Sequence, residues 1–238
     1  MPLMLTLSDA VLTLDRDLHV LFGDRLKSVV AYGSVGGANA PSSTLAIVNR
    51  LTADDLRACA TRVPDWNRDQ VAAPLLLAAD EFERSLDTFP FEFGGILADH
   101  VLVSGTDPFR GLSVDAAHLR QACELQARSH LLHLRQGYLE TGGRSDAVAD
   151  LISRSAGSLA ALLTSVARLQ GGASDTVDAA SQHVERGLGL APGILSEVAA
   201  CALGRPLNSD RARALFPEYL DAVSRLTNFI DRWSVRDK

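Results

Sequence analysis

Apolar positions follow two different rhythms along this chain, and the change between them divides it. In the first half they gather in short runs closed by turn residues, at 29–32, 45–48, 74–77 and 101–103. Runs of that length, rich in Val, Ile, Leu and Tyr, predict buried strands. The segment F-P-F-E-F at 89–93 predicts a further strand, with Pro90 marking an edge or a bend. Between the runs the spacing turns helical. Val11, Leu12, Leu14, Leu18 and Leu21 make an apolar stripe over 5–22, with Ser8 or Asp9 as N-cap and Gly23 as the stop. Thr52 caps a second helix that has Asp54 and Asp55 in its first turn and is predicted to end at Pro64. Trp66 then falls in a polar linker, partly buried against the sheet edge, and 79–86 makes a short helix.

From Asp115 onward only the helical rhythm remains. Long segments at 114–140 and 145–169 are followed by shorter ones at 174–187 and 192–203 and a last one at 209–233. Asn208, Ser209 and Asp210 cap that last segment, and Pro217 predicts a kink in it or its true start. The expected architecture is α+β: a mixed sheet with flanking helices over 1–113, then an α-helical bundle over 114–238.

Composition narrows the function classes. A chain of 238 residues with 47% hydrophobic and 22% charged residues can bury a substantial core. A net charge of −6 argues against nucleic acid as a partner. Cys59, Cys123 and Cys201 are widely spaced with no C-x-x-C pair, which predicts buried free thiols in a reducing compartment and no zinc site or disulfide framework. No apolar run approaches the roughly 20 residues that span a bilayer. The N-terminus lacks a basic n-region, so a cytoplasmic location and no membrane association are expected.

Candidate chemistry concentrates at V-V-A-Y-G-S-V-G-G-A-N-A-P-S-S-T-L-A-I-V-N, residues 29–49. Gly33 and Ser34 close the first strand, and Gly36 and Gly37 leave the following loop free of Cβ atoms, so its backbone can approach a ligand closely. Strand, Gly-Ser, glycine-rich loop and strand together resemble the signature of the nucleotidyltransferase fold. The resemblance continues in A-A-P-L-L-L-A-A-D-E-F at 72–82, F-P-F-E-F, S-G-T-D-P-F-R-G-L at 104–112, A-H-L-R at 117–120 and H-L-L-H-L-R-Q-G-Y-L at 130–139. Those runs are similar to bacterial nucleotidyltransferase-domain proteins.

The resemblance implies that Gly33 and Ser34 hold nucleotide phosphates. It also implies two carboxylates spaced Asp-x-Asp on the next strand, where alternate residues share a face and can hold a pair of divalent metals. The matching positions here are Ser42 and Thr44, whose hydroxyls carry no charge. Gly33, Ser34, Ser42 and Thr44 are therefore the expected nucleotide-binding set, with no metal ligands. Glu92 matches a third family carboxylate, a remnant general base on a later strand; the competing reading is a salt bridge to an Arg of the helical domain.

Two further constellations lie on the first long helix. Arg128 and His133 spell R-x-x-x-x-H, which resembles a motif of helical nucleases, although His130, His133 and Arg135 equally fit a solvated or interdomain face. His118 and Arg120 of A-H-L-R are expected to help dock the two domains. No G-x-S-x-G elbow supports a hydrolase. The expected function is a catalytically degenerate nucleotidyltransferase-fold protein that binds a nucleotide weakly or serves as a docking surface for a protein partner. An active transferase using Mg²⁺ and a nucleoside triphosphate is the alternative, and a helical-domain ribonuclease the second. Sequence does not reach the oligomeric state.

Overall fold

The computed structural model describes residues 7–33, 42–172 and 176–233. The chain divides into two compact units, 1–114 and 115–238. No described helix is long and apolar enough to cross a membrane.

The first unit is a four-stranded sheet in the order β3-β2-β1-β4, formed by β1 (Leu26–Tyr32), β2 (Ser43–Val48), β3 (Leu75–Ala78) and β4 (His100–Gly105). β1 runs antiparallel to both β2 and β4, while β2 and β3 are parallel, so the sheet is mixed. Alternation along the strands sends Val29, Ala46 and Val48 to one face, where they meet Val11, Leu14, Leu18 and Phe22 of α1 (Asp9–Phe22). On the other face Val30, Leu45 and Ile47 pack under α4 (Ala79–Thr88) and α5 (Pro90–Ala98). There Phe82 stands edge-on to Phe93 and Phe109, at centroid distances of 5.9 and 5.3 Å.

The strand expected at 89–93 is the first turn of α5, and this corrects the reading of Glu92. Pro90 sits in the first helical turn, where its missing N–H leaves no hydrogen bond unmade. Phe93 and Ile96 then bury at helical spacing. The alternating aromatics before them had mimicked a strand. Glu92 is accordingly an exposed residue of a helix and lies on no strand of the sheet.

Pro64 is corrected in the same sense. α2 (Ala53–Ala60) ends at Thr61, and Pro64 opens α3 (Val63–Arg68) instead of stopping the helix before it. Trp66 therefore belongs to a helix and is only 2% exposed, packed with the α1 side of the core. Its indole N–H donates to Asp17 Oδ2 at 2.9 Å. Trp66→Phe keeps most of the packing and strands that carboxylate, so it should cost about 2 kcal/mol in a urea titration. A cost near zero would show that the indole bond contributes nothing.

α2 carries the expected Thr52 cap as a full capping box with Asp55. Asp55 also accepts a forked pair of bonds from Arg25, at 2.9 and 2.7 Å, which ties the entry of β1 to α2. The Arg25 guanidinium holds the Asp55 carboxyl well below the usual carboxylate range.

The second unit consists of α6 (Ala116–Thr141), α7 (Ser145–Leu169), α8 (Val177–Leu188), α9 (Ile194–Cys201) and α10 (Ser209–Arg232). α6 begins under its expected cap, with Asp115 accepting from the backbone N–H groups of Ala117 and His118. Pro217 lies inside α10 and does not start it, since the Asn208 side chain caps the helix nine residues earlier by accepting from Arg211 N–H.

Glu185 and His130 are among the polar residues buried in this bundle. Glu185, 3% exposed, reaches from α8 to the start of α9 and accepts from the backbone N–H groups of Gly193, Leu195 and Ser196 at 3.0, 2.7 and 3.0 Å. His130 was expected on a solvated or interdomain face with His133 and Arg135, but it is buried. It shares a stripe of α6 with Cys123, Ala127 and Leu134. Its Nε2 lies 2.6 Å from the Tyr219 hydroxyl and its Nδ1 lies 3.1 Å from Ser158 Oγ. The Ser158 hydroxyl donates to the Ser155 carbonyl, so its oxygen accepts from His130 Nδ1–H and Nε2 is left to accept from Tyr219. Burial pushes the His130 pKa down to about 4.

Candidate functional site

The corner where β1 ends and β2 begins is built from a turn and a helix cap. Gly33 follows Tyr32 at φ +83, a left-handed conformation that favours glycine. A Cβ there would meet Ser43 only at ordinary contact distance, 3.9 Å, so backbone conformation and not crowding calls for glycine. Ser34, Gly36 and Gly37 lie outside the described residues.

Ser42 is joined by a parallel bridge to Val71. Its N–H donates to the Gln70 carbonyl at 3.0 Å, and its carbonyl accepts from Ala72 N–H at 3.0 Å. The C-terminal cap of α3 aims these groups. Gln70 N–H donates to the Asn67 carbonyl and Val71 N–H to the Trp66 carbonyl, the pairing of a Schellman cap. That cap needs a left-handed residue, and Gln70 fills the place usually given to glycine, at φ +60. It is the one non-glycine residue with positive φ among those described. Some backbone strain is therefore held directly beside Ser42.

Thr44 shares the face of Ala46 and pairs with Ala31 across β1. It is 1% exposed, and its hydroxyl has no hydrogen-bond partner. Of the expected set, Gly33 and Ser42 thus flank the strand ends, Ser42 half-buried, while Thr44 lies beneath them as a floor residue. Tyr32 also lies at this corner, half-buried, with its hydroxyl pKa raised by burial. Glu92 does not join them on the sheet. The charge inventory is more telling than any single position: no Asp or Glu occurs from residue 25 to residue 53, a stretch that covers β1, the following loop and β2. No shift of register between loop and strand would bring a carboxylate to the start of β2. Among the described residues there is also no group of three or more His, Cys, Asp or Glu side chains arranged to hold a metal ion.

The helical candidates resolve differently. Arg128 is held by Glu124 at 3.0 Å and by Asp231 at 2.7 Å, while His133 is exposed with Ser129 Oγ 3.3 Å from its Nδ1. A guanidinium bound by two carboxylates has little charge to offer an RNA phosphate. Arg120 spends its described contacts within its own unit, on Glu124 and on the Ile230 carbonyl. Cys59 and Cys123 are buried and Cys201 half-buried; burial raises all three thiol pKa values, that of Cys123 to about 12.

No protein-family model matches the chain, and no curated protein matches it. Among solved structures it is similar to spectinomycin adenyltransferase AAD(9) from Enterococcus faecialis, a structure with ATP and spectinomycin. That likeness has a TM-score of 0.56 at 9% identity and covers 91% of this chain and 98% of that one. It establishes the fold: a nucleotidyltransferase-like mixed sheet with flanking helices, followed by helices.

Proposed function

We propose that this chain is a nucleotide-binding protein on a nucleotidyltransferase-like fold, without the metal-dependent transfer chemistry. The observation that carries the reading is the absence of any carboxylate from residue 25 to residue 53. A pair of magnesium ions bridging triphosphate oxygens needs hard anionic ligands close together, and neutral hydroxyls do not supply that charge. A phosphate, by contrast, can be held by backbone N–H groups and hydroxyls alone. In this reading Gly33, Ser34 and Ser42 hold the phosphates and Thr44 supports them from below. The fold itself accommodates a nucleotide in the adenyltransferase, whose structure contains ATP.

Calorimetric titration with ATP and GTP, each with Mg²⁺ and with EDTA, tests the proposal. Weak binding that is the same in both conditions is expected. Tight binding that requires Mg²⁺, or release of pyrophosphate in the presence of an acceptor, would overturn it in favour of an active transferase.

Thr44 gives an independent check on its place in the floor. Thr44→Val keeps the shape and removes a buried hydroxyl with no partner, so stability should rise by about 1 kcal/mol. A loss in thermal or urea denaturation would mean that the hydroxyl is in use.

A further inference from the structure

The last two turns of α10 bury Leu226, Thr227 and Ile230 and carry two arginines and two aromatic rings together on the flank beside them. Arg225, Asn228, Phe229, Arg232 and Trp233 follow one another at steps of three, one, three and one, which places them on a single face. They line a groove of about 770 Å³ against the ends of α7 and α8. That volume lies within the range of small-molecule sites.

The groove differs from the rest of the protein in charge. The chain carries a net charge of −6, yet two arginines and no carboxylate are found among the described lining residues. Arg225 donates through Nη2 to the carbonyls of Leu188 and Gly189, the latter at 3.3 Å, which anchors it at the C-terminus of α8 and leaves its other donors unspent. Arg232 is exposed and makes no ion pair with a described residue. The neighbouring Asp231 is already engaged by Arg128 at 2.7 Å.

Beside the arginines stand the half-buried rings of Phe229 and Trp233, one helical turn apart. Gln170, the C-cap of α7, also lines the groove, and its Oε1 is buried with no hydrogen-bond partner. A buried acceptor without a donor costs stability unless something else meets it.

We propose that this groove binds a small phosphorylated compound that carries a planar ring, of the nucleoside monophosphate class. Arg225 and Arg232 take the phosphate, and the rings of Phe229 and Trp233 take the base. The described lining residues all belong to the second unit, and the proposal does not rest on the reading of Gly33.

The test is calorimetry of the full chain with AMP, using inorganic phosphate and adenosine as the two half-ligands. Tryptophan emission is followed in parallel, since Trp66 and Trp233 are the only tryptophans. AMP should bind more tightly than either half-ligand and change an emission signal that Trp233→Phe removes. Arg232→Gln should weaken AMP binding about tenfold or more, because a hydrogen bond to a charged group is lost. Arg232→Lys should lose less, and neither variant should unfold the bundle, because Arg232 supports no described contact. Gly33→Val should leave this site unchanged. Equal AMP affinity in the parent and in Arg232→Gln would overturn the proposal, as would absence of AMP binding by the parent. Loss of AMP binding in Gly33→Val but not in Arg232→Gln would also overturn it, while leaving nucleotide binding in the first unit intact.

Discussion

Glu185→Ala should lower stability by about 4 kcal/mol, the largest single-residue effect expected in the helical unit. A helix start leaves its first N–H groups without intrahelical partners, and a side chain at the N-cap normally meets one of them. The N-cap of α9 is Gly193, which has no side chain to offer. The carboxylate of Glu185 takes that role from a different helix and satisfies three donors at once. Its charge also sits at the positive end of the helix dipole. Truncation leaves three N–H groups in a largely buried place, each costing on the order of 1–3 kcal/mol when unpaired. Glu185→Gln separates the contributions, since it keeps an acceptor oxygen and loses the charge, and should cost about half as much. Urea denaturation followed at 222 nm measures both. If Glu185→Ala costs less than about 1 kcal/mol, α9 does not depend on this cap.

Acid should destabilise the same unit through His130. Its pKa lies near 4 in the folded bundle, against 6.5 for the free side chain. A histidine whose folded pKa is depressed gives up stability as pH falls, because the unfolded chain binds the proton more readily. The contribution is complete above pH 6.5 and drains away as pH approaches 4. Its full size is about 3 kcal/mol. Protonation also removes the acceptor at Nε2 that the Tyr219 hydroxyl uses, so the hydroxyl must accept from the ring instead and turn its proton to Ser155 Oγ, 3.1 Å away. Carboxylates titrate in part of this window, so the informative quantity is the difference between parent and His130→Gln. That difference should shrink steadily from pH 7 to pH 4 as the parent loses its advantage. Parallel pH profiles for the two proteins would show that His130 is not held neutral.

What could be read in the sequence followed how local each cause is. The strands around Val29, Leu45, Leu76 and Leu102 were legible because short apolar runs between turn residues have few other uses. The caps Ser8, Thr52, Asp115 and Asn208 were legible because they act within one turn. At 89–93 the local signal misled: three phenylalanines on alternate positions outweighed a proline that opens a helix as readily as it edges a strand. Pro64 misled in the same way. His130 carried a usable signal that was passed over, since Cys123, Ala127 and Leu134 already traced a buried stripe through it. Glu185 carried almost none, because its partners lie on another helix; the only hint was A-P-G-I-L, an apolar helix start with no capping side chain of its own. The groove on α10 was similarly hidden, as its arginines and aromatics gain meaning only beside Gln170. The empty charge inventory from 25 to 53 needed no structure at all.

The placement of β1 at the centre of the sheet has a consequence for how the protein is made. β1 lies between β2, which follows it closely, and β4, where Tyr32 finds its partner in His100. While a ribosome synthesises the stretch between them, the nascent chain holds a hairpin whose inner strand, with Val29 and Val30, has one edge open. From Val48 to Gly105, at translation rates of roughly 5–20 residues per second, that interval lasts about 3–11 s. An unpaired, apolar strand edge is a template for other chains. Transcripts truncated before residue 100 should therefore yield insoluble product, and chaperone demand should fall once Gly105 has emerged.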